Sequence, residues 1–195
     1  MVSFSGYSSM KVMLLAAGKG RRMRPVTLNR PKPLVDIGGK PLLEYHIERL
    51  CAVGVTEFVV NVSYLGEMIK ARIGNGERWG VTIQYSEEVQ ALETGGALLH
   101  AAPLLADAPF LLVNSDIWLD YDLSNLVNGN FDDGDAHLVL VNNPPHHPEG
   151  DFALIQGDDM GGDEKARCKV SLRETGKSSY TFSGLSVMSV GVVND

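Results

Sequence analysis

The sequence predicts an α/β fold in which helices cover both faces of a mostly parallel β-sheet. Short continuous apolar runs such as "KVMLLA" (residues 11–16) are typical of strands that are buried on both faces. These runs alternate with longer segments whose apolar residues recur near a 3.6-residue period, which implies crossover connections between parallel strands. The hydrophobic content of 44% and charged content of 21% agree with one sizeable globular core.

The predicted elements follow one another in a regular order. The first strand ends before Gly18 and Gly20, and the first helix, "PLLEYHIERLCAVGV", begins at Pro41 and ends near Gly54. The elements that follow are the strand "EFVVNV", the helix "YLGEMIKARIG", the strand "VTIQYS", the helix "ETGGALLHAAPLL" and the strand "FLLVNSD". Beyond residue 135 the segments "HLVLV", "FALIQ" and "KSSYTFSGLSVMSV" are predicted to be extended, with "NNPPHHPEGD" as a loop.

We expect one domain, residues 10–195, preceded by an extension at residues 1–9. No apolar run approaches the roughly 18 residues that a membrane-spanning helix needs, and residues 1–9 are too short and polar for a signal peptide. Cys51 and Cys168 lie far apart without metal-ligand spacing, so both are expected to be reduced. These features predict a cytoplasmic protein.

Positive charge is concentrated near the N-terminus. The chain carries 17 Lys and Arg against 24 Asp and Glu, a net charge of -7, which argues against broad nucleic-acid or membrane binding. Residues 16–34, "AAGKGRRMRPVTLNRPKPL", nevertheless hold six cations and no acid. A charge run is usually only a solvated face. Because this one follows a buried strand, it predicts a local anion site.

The residues of this basic loop suit a phosphate. Gly18 and Gly20 would let backbone N–H groups approach closely, although neither a dinucleotide fingerprint nor a Walker loop is present. Pro31 and Pro33 flank Lys32, so we expect extended backbone at Arg30 and Lys32 and a fixed position for the Lys32 ammonium group. Asp116, at the end of a predicted strand, is either a turn residue or a ligand for Mg²⁺, which binds carboxylates together with substrate phosphates. The pattern predicts a polyphosphate site.

The segments "LLAAGKGRRMRPVTLNRPKPL", "LETGGALL" and "LLVNSDIW" resemble the signatures of sugar-1-phosphate nucleotidyltransferases. The resemblance covers residues 11–187 and implies the Rossmann-like nucleotide-diphospho-sugar transferase fold. Within the family, "APFLLVNSDIWLDYD", "LVLVNNPPHHPEGDFAL" and "TFSGLSV" are most similar to the N-acetylmuramate-1-phosphate uridylyltransferases of cell-wall recycling. The implied reaction is attack of a sugar phosphate on the α-phosphorus of UTP, with release of pyrophosphate. No nucleic-acid or membrane partner is implied.

The resemblance also implies residue roles. Arg22 and Lys32 would be catalytic, and Asp116 would bind magnesium. The implied nucleotide-binding residues are Leu15, Ala16, Ala17, Gly18, Gly20, Glu93, Thr94, Gly95 and Gly96. The implied sugar-binding residues are Asn142, Gly150, Asp151, Phe152 and Gly184. We interpret His46, His146 and His147 as structural residues.

One departure keeps alternatives open. The family's W-x-D-x-G-T-like segment, which supplies a second metal-binding aspartate, does not occur in these 195 residues. We therefore expect a truncated C-terminal part and a missing second metal ligand. The alternatives are a glucose- or mannose-1-phosphate nucleotidyltransferase and a non-catalytic protein of the same fold that binds a nucleotide or sugar phosphate.

Overall fold

The computed structural model describes residues 10–105, 108–129, 131, 136–155, 169–172, 178–189 and 191. The chain divides into two compact units, Met1–His137 with Ser186–Asp195, and Leu138–Leu185. The chain passes from one unit to the other twice, at residues 137–138 and 185–186, and each passage lies within a β-strand. The predicted extension at residues 1–9 lies outside the described residues, and the single domain over residues 10–195 stays a prediction.

The first unit is built on parallel strands. Strand β1 (Val12–Leu15) pairs in parallel with β4 (Glu57–Val62) on one side and with β6 (Phe110–Asn114) on the other, and β4 pairs in parallel with β5 (Thr82–Glu87). The strand order in this part of the sheet is therefore β5-β4-β1-β6. Because the strands are parallel, their carboxyl ends and the loops that leave them lie at one edge of the sheet.

Helices connect these strands, as the alternating pattern predicts. They are α1 (Leu42–Ala52), α2 (Gly66–Ile73) and α3 (Glu93–Leu105), and a single-turn helix, α4 (Ser124–Val127), follows β6. Helix α3 places one apolar stripe in a core cluster with three strands, formed by Met13, Val59, Ala97, Leu98, Ala101, Leu105, Phe110 and Leu112. Phe110 is fully buried, and burial of such a side chain contributes about 1.5 to 3 kcal/mol. The predicted α/β fold is confirmed.

The basic loop is more compact than the sequence suggests. It contains three single 3₁₀ turns, Arg21–Met23, Val26–Leu28 and Lys32–Leu34. The prediction of extended backbone at Lys32 is wrong, because Leu34 N–H donates to Pro31 O at 2.9 Å and closes a turn that starts at Lys32. A two-residue ladder of β2 (Asp36–Ile37) and β3 (Lys40–Pro41) then leads into α1.

Gly20 is required where the loop folds back on itself. Its φ is +58°, in the left-handed region that disfavours other residues. A Cβ there would lie 2.9 Å from Thr27 Cγ2, while the buried Thr27 donates its hydroxyl to Gly20 O at 2.7 Å. The contact between Gly20 and Thr27 therefore holds this part of the loop in its folded-back conformation.

The second unit contains two antiparallel strand pairs. Strand β8 (Phe152–Ile155) pairs in this way with β9 (Lys169–Leu172) and with β10 (Ser179–Met188), and β7 (Ala136–Val141) also pairs with β10. The predicted loop at residues 142–151 connects β7 to β8. Within the described residues, no helix is long and apolar enough to cross a membrane.

Candidate active site

The carboxyl ends of the parallel strands surround a cleft of about 700 Å³ in the first unit. Its walls are the basic loop after β1, the ends of β4, β5 and β6, and the start of α3. Strand register explains this arrangement, because Leu15 lies opposite both Asn61 and Asn114, and Asn61 lies opposite Ser86. Ligands of open parallel sheets bind outside this edge. The cleft is therefore the candidate site.

The cleft brings together most of the residues that the sequence singled out. The predicted residues in its lining are Leu15, Ala16, Ala17, Gly18, Gly20, Arg22, Lys32, Glu93, Thr94 and Asp116. Gly95 and Gly96 follow directly in the first turns of α3 but are not part of the lining. Lys19 and Arg21 add two cations to the walls. Segments that lie far apart in the sequence thus share one cavity.

Lys32 and Asp116 form an ion pair inside the cleft, between Nζ and Oδ2. Their side chains are 26% and 38% exposed, so both charged groups remain accessible to a ligand. An exposed pair of this kind contributes about 0 to 1 kcal/mol to stability. Its importance is positional, because it places a cation and a carboxylate side by side at the end of β6.

The start of the basic loop is anchored on both sides. Ala16 N–H donates to Asn61 Oδ1 at 2.7 Å, from the β4 side. On the β6 side, Ser115 N–H donates to Leu15 O at 3.2 Å, and the Ser115 hydroxyl donates to the same oxygen. A Cβ on Gly18 would meet no atom within 4 Å. Protein packing therefore does not demand glycine at residue 18, whereas close approach of a phosphate would.

The loop before α3 forms the opposite wall. Glu93, the first residue of α3, has φ +56°, a left-handed conformation that is uncommon for a residue with a side chain. A Cβ on Gly96 would lie 2.9 Å from Leu92 Cβ, so glycine lets this loop fold closely onto the first turn of the helix. The N–H groups at the start of a helix favour anionic ligands.

Sequence reasoning missed two polar side chains in the cleft. Asn61 and Glu88 are 3% and 6% exposed, and Asn61 Nδ2 donates to Glu88 Oε1 at 2.7 Å. Leu92 N–H donates to the other oxygen, Glu88 Oε2, at 3.0 Å. For Asn61 a signal was present, because this polar residue stands near the carboxyl end of a mostly apolar parallel strand, where ligands bind. Glu88 follows β5, "TIQYSE", which is mostly polar and offers no such contrast.

Helix α1 holds the segment that follows Asp116. The guanidinium of Arg49 donates to Leu119 O and, at 3.1 Å, to Tyr121 O. His46 is buried, as expected of a packed histidine, and hydrogen-bonds to the backbone of Ile117. Burial lowers the pKa of His46 to about 4, against a smaller opposing effect of that hydrogen bond. His46 is therefore neutral at pH 7.

Asp116 lines the cleft as an exposed carboxylate, a kind of group that can bind magnesium. Within the described ranges, no group of three or more His, Cys, Asp and Glu side chains could hold a metal ion. A site made of one carboxylate completed by substrate phosphates and water still fits magnesium, which keeps several waters and uses one or two carboxylates. Glu88 differs from Asp116, because it is only 6% exposed and each of its oxygens accepts a hydrogen bond from the protein.

The predicted sugar-binding residues belong to the second unit. Gly150, Asp151 and Phe152 line a shallow depression of about 610 Å³ with Leu172 and Phe182. Asn142 and Gly184 are not part of its lining. Gly184 has φ +88° and is buried, and Asn142 is exposed in the loop after β7.

Asp151 is tied into the loop of the second unit. Its Oδ2 accepts Phe182 N–H at 2.8 Å, and its Oδ1 lies 3.1 Å from His147 Nε2. His147 therefore holds the loop, which agrees with the structural interpretation of this histidine. A neighbouring residue that the sequence analysis did not single out, Asn143, donates to Ser179 O and Pro148 O at 3.1 Å. The sugar-binding roles stay predictions.

The chain is similar to known proteins. The family model described as nucleotidyl transferase matches residues 11–170. The chain is 43% identical over 182 residues to N-acetylmuramate alpha-1-phosphate uridylyltransferase of Neisseria meningitidis, which covers 91% of this chain and 74% of that protein. It is 38% identical over 135 residues to mannose-1-phosphate guanyltransferase of Emericella nidulans, which covers 68% of this chain but only 37% of that protein.

A solved structure supports the fold. UDP-glucose pyrophosphorylase in complex with UDP-glucose superposes with a TM-score of 0.73 at 16% sequence identity, over 96% of this chain and 78% of that one. At this identity the likeness establishes the fold alone. The family match and the uridylyltransferase relative go further, because each spans most of the chain. The chain therefore belongs to the sugar-1-phosphate nucleotidyltransferase family.

Proposed function

We propose that the protein is a uridylyltransferase that forms UDP-N-acetylmuramate and pyrophosphate from UTP and N-acetylmuramate 1-phosphate. The observation that carries a nucleotidyl transfer is the cleft in which Arg22, Lys32 and Asp116 meet at the carboxyl edge of the sheet. The choice of uridine and N-acetylmuramate rests on the 43% identity to the Neisseria meningitidis enzyme of that name. A role in cytoplasmic cell-wall recycling would follow from this substrate.

The charges of the cleft suit a nucleoside triphosphate. Its lining contains four cations, Lys19, Arg21, Arg22 and Lys32, and three acids, Glu88, Glu93 and Asp116. Glu88 accepts hydrogen bonds from Asn61 and Leu92 and is only 6% exposed. At about 4 Å and an effective dielectric near 20, each cation–phosphate pair supplies roughly 4 kcal/mol. Several such pairs are needed to hold a charge on the order of -4.

In the proposed reaction, a phosphate oxygen of the sugar substrate forms a bond to the α-phosphorus of UTP. The bond from that phosphorus to the bridging oxygen of the β-phosphate breaks, and the electron pair leaves with pyrophosphate. Positioning and charge stabilisation account for most of the catalysis of such in-line transfers. Lys32 and Arg22 would stabilise the charge at the reacting phosphates, while the backbone of residues 15–18 borders the base and phosphates.

Magnesium would be held by Asp116 and would neutralise phosphate charge when bound. Lys32 forms an ion pair with Asp116. Arrival of the metal and the nucleotide would give both groups new partners, with Lys32 turning to the phosphates. For the sugar, we propose that Asn142, Gly150, Asp151, Phe152 and Gly184 of the second unit line the hexose site.

A second candidate is a guanylyltransferase that acts on mannose 1-phosphate. It is favoured by the 38% identity to the Emericella nidulans enzyme, although that match covers only 37% of the enzyme's length. The two candidates share the cleft chemistry and differ in the base and the hexose.

Pyrophosphate release separates the candidates. The protein is incubated with magnesium, with UTP, dTTP or GTP, and with a panel that contains the 1-phosphates of N-acetylmuramate, glucose and mannose. We expect the highest kcat/KM for UTP with N-acetylmuramate 1-phosphate. A preference for GTP with mannose 1-phosphate would replace the proposal by the second candidate. Nucleotide binding without any release would instead identify a non-catalytic binding protein.

A further inference from the structure

We propose that Asn61 and Glu88 form a positioning bridge that sets the distance between the two walls of the nucleotide cleft. One wall is the basic loop at Ala16 and the other is the loop before α3 at Leu92. The inference rests on the proposed function, because it assigns the bridge to nucleotide binding. Neither side chain needs to touch the reacting atoms.

The bridge is a continuous chain of three hydrogen bonds. Ala16 N–H donates to Asn61 Oδ1 at 2.7 Å, Asn61 Nδ2 donates to Glu88 Oε1 at 2.7 Å, and Leu92 N–H donates to Glu88 Oε2 at 3.0 Å. Ala16 and Leu92 both line the cleft, as do the two bridging side chains. These three hydrogen bonds therefore connect one wall to the other through two side chains, Asn61 and Glu88, that are 3% and 6% exposed.

The hydrogen-bond polarity of the bridge is fixed by its two ends. Both ends are backbone N–H groups, which can only donate. Asn61 must therefore turn its oxygen to Ala16 and its amide nitrogen to Glu88, and Glu88 must offer two acceptor oxygens. A carboxylate does this, whereas a glutamine at residue 88 would turn an NH₂ group towards Asn61 Nδ2 or Leu92 N–H. A donor facing a donor in a buried place is costly.

The location of the bridge favours positioning over general stability. Asn61 is the one polar residue between residues 58 and 62 of β4, where the other four side chains are buried and apolar. A buried polar side chain stabilises a sheet less than an apolar one unless all of its hydrogen bonds are formed. Both residues lie near the carboxyl ends of their strands, beside the loops that form the walls of the cleft. A misplacement of about 1 Å in such a wall can cost about 100-fold in rate.

The test inverts the polarity of the middle bond. Glu88→Gln places donor against donor, and Asn61→Asp places two carboxylates against each other. In the double variant, the new carboxylate at residue 61 accepts from Ala16 N–H and from the new side-chain amide at residue 88, whose oxygen accepts from Leu92 N–H. The double variant thus restores all three bonds and keeps the same net charge. Glu77→Gln is the matched control, since Asn75 Nδ2 donates to Glu77 Oε1 at 2.8 Å outside the cleft.

Three measurements are made on each variant: calorimetric binding of UTP without sugar phosphate, the separate KM values for UTP and the sugar 1-phosphate, and urea unfolding. We expect each single variant to weaken UTP binding by about 10-fold or more. The KM for the sugar 1-phosphate should change much less than the KM for UTP. The double variant should return to within about threefold of wild type, by coupling of the two sites. Glu77→Gln should bind UTP like wild type.

Single variants that lose stability but, once folded, bind UTP with wild-type affinity would overturn the bridge as a positioning device. A double variant that binds no better than the weaker single variant would also overturn it. If the single variants did not fold but the double variant folded and bound UTP, the result would support the coupling between residues 61 and 88. Wild-type protein that binds none of UTP, dTTP and GTP would instead overturn the proposed function, and the inference with it.

Discussion

Replacement of Lys32 by methionine is expected to remove catalysis without unfolding the protein. The side chain keeps its apolar stem but loses the ammonium group that faces Asp116 in the cleft. An ion pair with a phosphate at about 4 Å and an effective dielectric near 20 is worth roughly 4 kcal/mol. Because each 1.36 kcal/mol of transition-state stabilisation corresponds to a factor of ten in rate, kcat/KM for UTP should fall by about 1,000-fold.

The cost to folding should be small. Lys32 and Asp116 are 26% and 38% exposed, and an exposed ion pair contributes about 0 to 1 kcal/mol. The measurements are pyrophosphate release with saturating sugar 1-phosphate and urea unfolding of the same preparation. We expect a change in the free energy of unfolding of no more than about 1 kcal/mol, beside the large loss of turnover.

Lys40→Met is a closely matched control. Lys40 forms an ion pair with Glu48 in which the two side chains are 28% and 42% exposed, but neither residue lines the cleft. Its replacement also removes the contact of Lys40 Nζ with the Tyr45 ring, 4.0 Å from the ring centroid, so it should cost at least as much stability and leave kcat/KM for UTP unchanged. If the Lys32 and Lys40 variants turned over substrate equally well, the role assigned to Lys32 would be refuted.

Three further predictions concern the loop and the helix beside the cleft. Gly18→Ala should leave the free energy of unfolding within about 0.5 kcal/mol of wild type, because the new Cβ would meet no protein atom within 4 Å. The same variant should weaken UTP binding in calorimetry. Unchanged UTP binding would argue against close approach of a phosphate to residue 18. Gly20→Ala should instead cost about 1 to 2 kcal/mol in urea unfolding, since φ is +58° and the new Cβ would lie 2.9 Å from Thr27 Cγ2; a neutral effect would contradict this. Burial lowers the pKa of His46 from 6.5 to about 4, so the unfolded chain takes up the proton first and the free energy of unfolding should fall by at most about 3 kcal/mol between pH 7 and pH 4. His46→Gln should show a shallower pH dependence over that range, and an identical slope in both proteins would exclude this source.

The elements that the sequence predicted best are those with the strongest apolar patterns. The residues "EFVVNV" and "ETGGALLHAAPLL" form β4 and α3 with the predicted bounds. Element β9 was not predicted, because its four residues contain no apolar run. Helix α4 is a single turn and likewise has no periodic pattern to find.

The candidate site was only partly accessible from the sequence. Lys32 and Asp116 could be assigned to one place because the basic loop and Asp116 each come after a predicted parallel strand, and the structure brings the two side chains into one ion pair. The 3₁₀ turn at Lys32 was missed, since backbone hydrogen bonds outweighed the preference of a residue before proline for extended backbone. The partnership of Asn61 with Glu88 depends on strand pairing across 27 residues, which no local pattern encodes.

Calorimetric titration of UTP into wild type and Asp116→Asn, each with and without Mg²⁺, asks whether the basic loop and Asp116 hold a polyphosphate and a metal together. Wild type should bind UTP more tightly when Mg²⁺ is present, and the variant should lose most of that gain while it still binds metal-free UTP through Arg22 and Lys32. An equal gain from Mg²⁺ in both proteins would contradict a metal site at Asp116, and no UTP binding by wild type would contradict the nucleotide cleft itself.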